Sequence, residues 1–347
     1  MRMAGRTHIS VTLTFIILGL MLALLFVLDI MIGSTRLEAS DVFRSLFGQG
    51  TEHGEIIVMQ FRLPKAVTAL IAGAAMSVSG LLMQTLFRNP LAGPDVLGVS
   101  SGAGLGVALM ILTLSPVFEF SSLNPLHGWS LIIAACAGAG AVMVIIMAVS
   151  ARVRDIMTVL IIGILLASAI SSVVSLLQYF SNESMLKTYV IWTMGNLGNL
   201  SPVQVRVLLA ASSAGMLMAF MQVKPLNALL MGETFSRSVG VNMKRTRIAL
   251  FASASILAGS VTAFCGPLAF IGIAVPHITR LLFSTSDHKV LVPGVIITGA
   301  TVVLLSDIVS ALPGGGQIIP VNTVTSLIGI PVVLWIIAGK SMMGRKI

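Results

Sequence analysis

The sequence predicts an all-α membrane protein that crosses the bilayer about ten times, and three observations predict it. Of 347 residues, 56% are hydrophobic and only 10% charged, whereas a soluble domain carries about 25% charged residues. The mean hydropathy is +1.02. Apolar runs recur along the chain at the ~20-residue length a helix needs to cross the hydrocarbon core. Together these exclude a soluble enzyme and leave almost no length for a soluble domain, so residues 1–347 read as one transmembrane domain. A net charge of +9 would suggest nucleic acid in a soluble protein. Here its distribution across the membrane carries the information, and no nucleic-acid partner is expected.

In chain order the spans are Ile9 to Ile32, Ala66 to Leu86, Val96 to Leu114, Trp129 to Val149, Ile156 to Leu177, Val203 to Val223, Ile248 to Phe264, Leu268 to Phe283, Val290 to Leu305 and Thr323 to Ala338. The first is too long for a signal-peptide core and no convincing small-residue cleavage site follows it, so it reads as a span. The seventh and eighth are divided only by Cys265, Gly266 and Pro267. An even count puts both termini on one side. Placing them inside puts most Lys and Arg in the cytoplasm, among them Arg2, Arg6, Arg88, Arg152, Arg154, Lys224, the cluster from Arg237 to Arg247, Arg345 and Lys346. That is the positive-inside arrangement, N-in and C-in.

Two outer segments break the apolar pattern, 33–65 and 178–202. In the first, Leu37, Val42, Phe43, Leu46 and Phe47 have the spacing of an amphipathic surface helix. The second suggests a short external helix, with Tyr189 and Trp192 as interface anchors. Arg62 and Lys65 close the first segment, beside Glu52 and Glu55. Two readings stand for this basic pair: it docks acidic side chains of an external partner, or it seats the second span as snorkelling anchors.

The inner side carries a polar island within 224–247, M-G-E-T-F-S-R-S-V-G-V-N-M-K-R-T-R from Met231 to Arg247. Charges so dense cannot lie in lipid, since one unpaired charge at the bilayer centre costs about 3 kcal/mol or more. Gly232 and Gly240 bracket about two helical turns, with Gly240 placed as the stop. A short helix held in water between two spans is a handle for another protein, with Glu233 and Arg237 as its polar contacts. Between the second and third spans, R-N-P-L-A-G-P-D-V-L-G breaks helical pairing at Pro90 and Pro94 beside Asn89. Such backbone must line a cavity or contact surface, so Asn89 and Pro90 are pathway candidates.

A faint repeat relates 69–74 and 89–92 to 249–254 and 266–269. Its copies run in opposite directions through the membrane, as in inverted-repeat transporters. The many Gly, Ala and Ser within spans read first as close helix packing. Asp29 and Asp307 lie near the outer ends of their spans, so no proton or sodium relay is visible and an ion-coupled carrier is the weaker reading. No paired residues suggest an intramembrane enzyme. Cys136 and Cys265 read as packing residues, His277 has no second ligand at helical spacing, and no metal site is expected. Gly339-Lys340-Ser341 imitates the end of a phosphate loop, but the earlier Gly that such a loop needs is Leu334.

The motifs R-L-P-K at 62–65, G-L-L-M-Q-T-L-F-R-N-P-L-A at 80–92, L-G-V-S-S-G-A-G at 97–104, W-T-M-G at 192–195, G-E-T-F-S-R-S-V-G-V at 232–241, G-P-L-A-F-I-G-I-A-V-P-H-I-T-R at 266–280 and D-H-K-V-L-V-P-G at 287–294 occur in order along nearly the whole chain. In this combination the chain resembles the FecCD-type permeases of bacterial ABC importers, which take up iron-siderophore, haem or vitamin B12. The resemblance implies a type II ABC importer permease fold in the cytoplasmic (inner) membrane. It also implies a homodimer or paralogue pair, two cytoplasmic ATPase subunits that bind ATP, and a periplasmic or lipid-anchored substrate-binding protein. No cofactor is expected in this chain, which would itself be non-catalytic. The resemblance makes Gly232, Glu233, Arg237 and Gly240 the ATPase-coupling segment and Arg62 and Lys65 the docking pair. It also places the fifth span at the dimer axis, so Met157 and Thr158 at its inner start become the gate. The family's acid-bearing run before the last span is here Gln317 to Asn322, which makes Asn322 a pathway candidate and leaves substrate open. An iron-siderophore is the expected cargo, with haem or cobalamin as alternatives.

Overall fold

The polypeptide was analysed as a computed structural model, which describes residues 11–33, 35, 37–114, 126–153, 155–312 and 318–343. Arg2, Arg6, Arg154, Gln317, Arg345 and Lys346, used above, lie outside them. The helices are α1 (Val11–Met31), α2 (Ala39–Leu46), α3 (Glu52–Ile56), α4 (Leu63–Leu86), α5 (Val99–Ala108), α6 (Leu126–Arg152), α7 (Ile156–Tyr179), α8 (Glu183–Thr193), α9 (Pro202–Met221), α10 (Val223–Leu230), α11 (Glu233–Ser238), α12 (Met243–Cys265), α13 (Ile271–Phe283), α14 (His288–Ala311) and α15 (Val321–Met343). Wide π turns at Ile57–Arg62 and Leu109–Leu114 extend α3 into α4 and α5 outward. Among the described residues there is no strand.

Each expected span meets a helix. Among the described residues seven helical rods are long and apolar enough to cross a membrane, and three shorter apolar helices at Val99–Thr113, Ile271–Phe283 and Val321–Trp335 stand at the third, eighth and tenth spans. The narrow division between the seventh and eighth spans is a real break. Gly266 takes φ +75° after α12, and Phe270, in the left-handed region at φ +63°, opens α13. The second span is longer than expected: Glu52–Leu86 forms one rod. Thr51 starts it by accepting the Gly54 N–H at 3.2 Å, and Pro64, which has no N–H to give the preceding turn, falls just after the π turn at Ile57–Arg62. Arg62 and Lys65 lie within this rod, and their charges meet the end of α1, the backbone at Thr35 and Asp307 of α14.

α4 is the axis of the subunit. It packs against α9, α12, α13 and α14, and no residue from 63 to 86 is exposed. Lipid tails are as apolar as Leu, so burial of apolar surface gives helices little reason to associate within the membrane. Close backbone approach takes over. A Cβ on Gly80 would stand 1.8 Å from the Gly272 carbonyl oxygen, and one on Gly73 would stand 2.2 Å from that of Gly299. Ser79 donates to the Ala254 carbonyl at 2.9 Å, so the two helices that carry the repeat motif touch directly. α7, by contrast, turns Ile161, Leu165, Val173 and Leu176 outward. α8 is the short helix expected in the segment 178–202. Tyr189 does not anchor it at an interface: it is buried and stacked on Trp192 at 6.2 Å between centroids.

Candidate functional site

Three groups of residues converge on the face that carries the polar island. The first is α11 itself. Gly240 ends it in the left-handed region at φ +86°. The Val241 N–H reaches the Ser236 carbonyl at 2.9 Å and the Gly240 N–H reaches that of Arg237 at 3.1 Å, the paired bonds of a Schellman stop. Gly232, at φ +108°, turns the chain from α10 into α11. Exposed around this short helix are Met231, Phe235 and Val239, an apolar set that an isolated connector in water does not need. Arg237 is largely exposed, whereas Glu233 is held by Arg247 of α12 at 2.5 Å and stands 3.9 Å from Arg237. Of the two expected polar contacts, Arg237 is the free one.

The second group is the turn before α7. Asp155 caps this helix, accepting the Thr158 N–H at 2.8 Å, the Thr158 hydroxyl at 2.7 Å and the Met157 N–H at 3.3 Å. The Thr158 hydroxyl and backbone bonds hold the Asp155 carboxyl below the usual range, with Arg247 contributing charge. Met157, beside this cap, is exposed.

The third group is the R-N-P loop. Arg88 adopts φ +49° and places its guanidinium over Gly232, 3.7 Å from where a Cβ would stand. The Asn89 side chain accepts the Leu91 N–H at 2.9 Å, and Pro90 follows it in the turn. Behind the loop, Gln84 accepts from Arg280 at 2.6 Å and donates to the Ile273 carbonyl at 3.0 Å. Thr85 meets the His288 ring at 2.8 Å, and the Asn227 side chain of α10 accepts the His288 N–H at 2.8 Å and donates to Asp287 at 2.6 Å. Motifs at 80–92, 266–280 and 287–294 thus form one network that fixes α10 beneath α4. Asn227 lies outside all of them and had no sequence signal.

From this face a groove runs along α7. Asp95, Ile164, Ala167, Ser168 and Ser171 line a cavity of about 540 Å³. A second, of about 360 Å³, shares Ser171 and continues past Ser100, Ser175 and Gln178 to Tyr189 and Thr193. Asp95 accepts a short hydrogen bond from the Ser100 hydroxyl. Hydroxyls of Ser168, Ser171 and Ser175 alternate along this route with apolar side chains such as Ile164 and Val174, and Asp95 is the carboxylate among its lining residues.

The opposite face holds a cavity of about 590 Å³, lined among others by Asp29, Arg62, Lys65, Asn196, Asp307 and Pro320. Arg62 is buried, and its guanidinium donates to the carbonyls of Ile30 and Met31, each at 2.9 Å, and of Thr35 at 2.5 Å. Lys65 pairs with Asp307 at 2.8 Å. Both cations are engaged within the subunit. Asn322 is engaged likewise: it accepts the Ala269 N–H at 3.0 Å, donates to the Thr193 carbonyl at 3.3 Å, and its own N–H reaches the Met194 carbonyl at 3.2 Å. It ties the ends of α8 and α12 to the start of α15, without lining the α7 groove. Among the described residues no group of His, Cys, Asp and Glu has the makings of a metal site.

A bundle of apolar helices with a groove bearing hydroxyls along one of them and a short helical handle at one end has the character of a multi-pass membrane permease. Comparison with known proteins makes this specific. The chain belongs to the FecCD transport family, whose pattern it matches over residues 21–339, and is accordingly a permease subunit of an ABC importer of the metal-chelate and vitamin B12 class. It is 34% identical over 320 residues to the vitamin B12 import system permease protein BtuC of Shigella sonnei (strain Ss046), covering 92% of this chain and 93% of that one. The counterpart from Escherichia coli (strain K12 / DH10B) is 33% identical over the same length and the same shares of both chains. Among solved structures, a metal-chelate type ABC transporter in an inward-facing conformation superposes with a TM-score of 0.80 at 27% identity, over 95% of this chain and 99% of that one. PsaBC from Streptococcus pneumoniae, in complex with Fab, matches with a TM-score of 0.50 at 15% identity, over 84% and 94% of the two chains. That last likeness concerns the fold alone.

Proposed function

We propose that this chain forms, with a second copy of itself, the membrane channel of an importer that moves an iron-siderophore chelate inward by alternating access. Two ATPase subunits on the island face bind and hydrolyse ATP, and a periplasmic or lipid-anchored binding protein delivers the chelate to the opposite face. The chain lies in a bacterial inner membrane with both termini inside. The observation that carries this reading is α11, a six-residue helix with a Schellman stop, anchored by Glu233 and ringed by exposed apolar side chains. Gly232, Glu233, Arg237 and Gly240 form the coupling segment within 224–247, with Glu233 anchoring it and Arg237 facing the ATPase. Met157 and Thr158 form the gate, and Asn89 and Pro90 join gate to coupling segment through the Arg88 contact.

The outer face receives the binding protein around the cavity that Arg62 and Lys65 border. These two residues shape that surface by seating the rod that carries them. A second cargo, vitamin B12, is favoured by the relatives at 33–34% identity. Uptake by liposomes containing the permease, its ATPase and its binding protein, supplied with radiolabelled ferric chelates, haem or cobalamin, decides the cargo. Uptake of the ferric chelate alone supports the first reading and uptake of cobalamin alone the second. Gradient-driven uptake by the permease without an ATPase would overturn both.

A further inference from the structure

Between α4 and α5 the chain climbs back into the membrane with no more regular structure than a 3-10 turn at Pro94–Leu97. Its contacts give its depth. A Cβ on Gly272, near the start of α13, would stand 2.8 Å from Pro94, and one on Gly98 would stand 3.4 Å from the Ala167 side chain of α7. Asp95 borders the cavity lined by Ile164, Ala167, Ser168 and Ser171. Ala167 is at the middle of the 24-residue α7, about 18 Å from either end at 1.5 Å per residue. The Asp95 carboxylate is therefore about halfway across the bilayer. Irregular backbone is tolerated at such depth only inside protein or beside a water-filled cavity.

This carboxylate has no evident structural task. The Ser100 hydroxyl donates to it and stands 3.4 Å from the Thr262 hydroxyl of α12, which fixes its position from the protein side. It does not cap α5, whose N-cap is Gly98 without a side-chain bond. None of the ion pairs among the described residues includes Asp95, and neither cavity along α7 has a Lys, Arg or His in its lining. The N-terminus of α5 follows close behind, and its dipole favours a negative charge there. An ionised carboxylate accepts through both oxygens, so capacity beyond Ser100 is left for whatever occupies the cavity. Ionisable groups at this depth mark a pathway for substrate or ions.

We propose that Asp95 sorts cargo by charge: the route along α7 admits chelates whose surface is cationic or rich in hydrogen-bond donors, and resists anionic ones. The proposal rests on the importer reading above and narrows its ferric chelate to one without net negative charge. A trihydroxamate qualifies, because three singly charged ligands neutralise the iron, whereas a tris-catecholate stays trianionic. Repulsion discriminates without the tight contacts that would hold cargo in the route.

Two measurements test it, each comparing wild type with Asp95→Asn, which keeps an acceptor for Ser100 and removes the charge. The first uses the full-length permease in nanodiscs with Cys136→Ala, because that thiol is exposed, and Ser171→Cys, at the position shared by both cavities. The ratio of its modification rates by a cationic and an anionic methanethiosulfonate should fall about fivefold in Asp95→Asn, the effect of one charge at contact distance across water. The second uses liposomes holding the permease, its ATPase and its binding protein. They are supplied with a ferric trihydroxamate that carries a free ammonium, or with the same chelate succinylated to end in a carboxylate. The binding protein is the same throughout, so its own preference cancels when the ratio of the two uptakes is compared between variant and wild type. That ratio should fall by a similar factor, and Asp95→Glu, which keeps the charge, should stay near wild type in both measurements. A modification ratio that Asp95→Asn leaves unchanged overturns the proposal, because the charge then does not reach the route. So does a modification ratio that falls while the uptake ratio stays constant, because the field is then present without sorting cargo. Absence of ATP-driven uptake of either chelate by wild type instead overturns the ferric-chelate reading, and the assignment to cargo falls with it.

Discussion

Lys65 Nζ lies 2.8 Å from a carboxylate oxygen of Asp307, joining the start of α4 to the end of α14 across the cavity on the face away from the island. The partners differ in environment: the Asp307 side chain is 1% exposed and that of Lys65 24%. Asp29, itself buried, lines the same cavity as Asp307. Removing the cation therefore leaves two buried acids facing each other, whereas removing the acid leaves a lysine that can swing to water. Lys65→Met should destabilise the purified protein by about 3 kcal/mol, the low end for stripping one partner from a buried pair, and Asp307→Asn by clearly less. Thermal unfolding in detergent reads the order, and equal losses would show that solvent reaches both ends.

Arg62 has three backbone carbonyls as partners and Lys65 has Asp307. If the two seat the rod, Arg62→Lys should lower the melting temperature, and reversing both charges in Arg62→Glu/Lys65→Glu should leave affinity for the binding protein in nanodiscs unchanged at both low and physiological salt. A loss of affinity that grows as salt falls would instead mark them as docking charges.

At α11, Met231 and Val239 are exposed beside the helix while Ser236 is buried beneath it. Met231→Glu and Val239→Asp should reduce association with the ATPase subunit without altering the melting point of the permease alone. Glu233→Arg should do more, since it sets three cations together at Arg237, Arg247 and position 233. Both transport and ATPase stimulation should fall, with binding-protein docking intact. Unchanged transport and assembly would reduce the island to a connector.

Cysteines at Met157 or Thr158 should cross-link between two copies in one nucleotide state and much less in the other. Equal cross-linking in every state would remove the gate assignment.

Gly80→Ala places a Cβ 1.8 Å from the Gly272 carbonyl oxygen, against backbone that cannot turn aside. The expected loss is about 1–3 kcal/mol, as for other overpacked interiors. Gly140→Ala, on α6 with nothing within 4 Å, is the matched control and should be neutral or slightly stabilising.

The spans were legible because each is an apolar run of membrane length, and so was the handle at α11, because charge density and two bracketing glycines are local signals. What the sequence hid are the partners of its charges. Arg62 finds its acceptors up to 32 residues earlier in the chain, and Lys65 finds Asp307 from the far end. No helical or strand period connects such positions, so the second span reads from Ala66 where the rod begins at Glu52. Glu233 and Arg247 are 14 residues apart across a Schellman turn, beyond the reach of i,i+4 spacing. Asn322 sat in a run that departs from the family, so its role in tying three segments had neither a motif nor a period to announce it.

The enclosure of α4 has a consequence for how the protein is made. Its Gly, Ser and Gln residues are suited to contact with other helices and not with lipid, yet α14, which packs along it, is complete only at Ala311. At ~5–20 residues per second of synthesis, α4 leaves the ribosome roughly 10–50 s before that partner exists. During that interval the serine hydroxyls of α4 can bond back within their own helix, as Ser77 does to the Gly73 carbonyl at 2.7 Å. Gln84, whose partners lie on α13, has no such recourse and must wait at the membrane surface or against an insertion factor. Packing around α4 is therefore completed only late in translation, when α14 has been made.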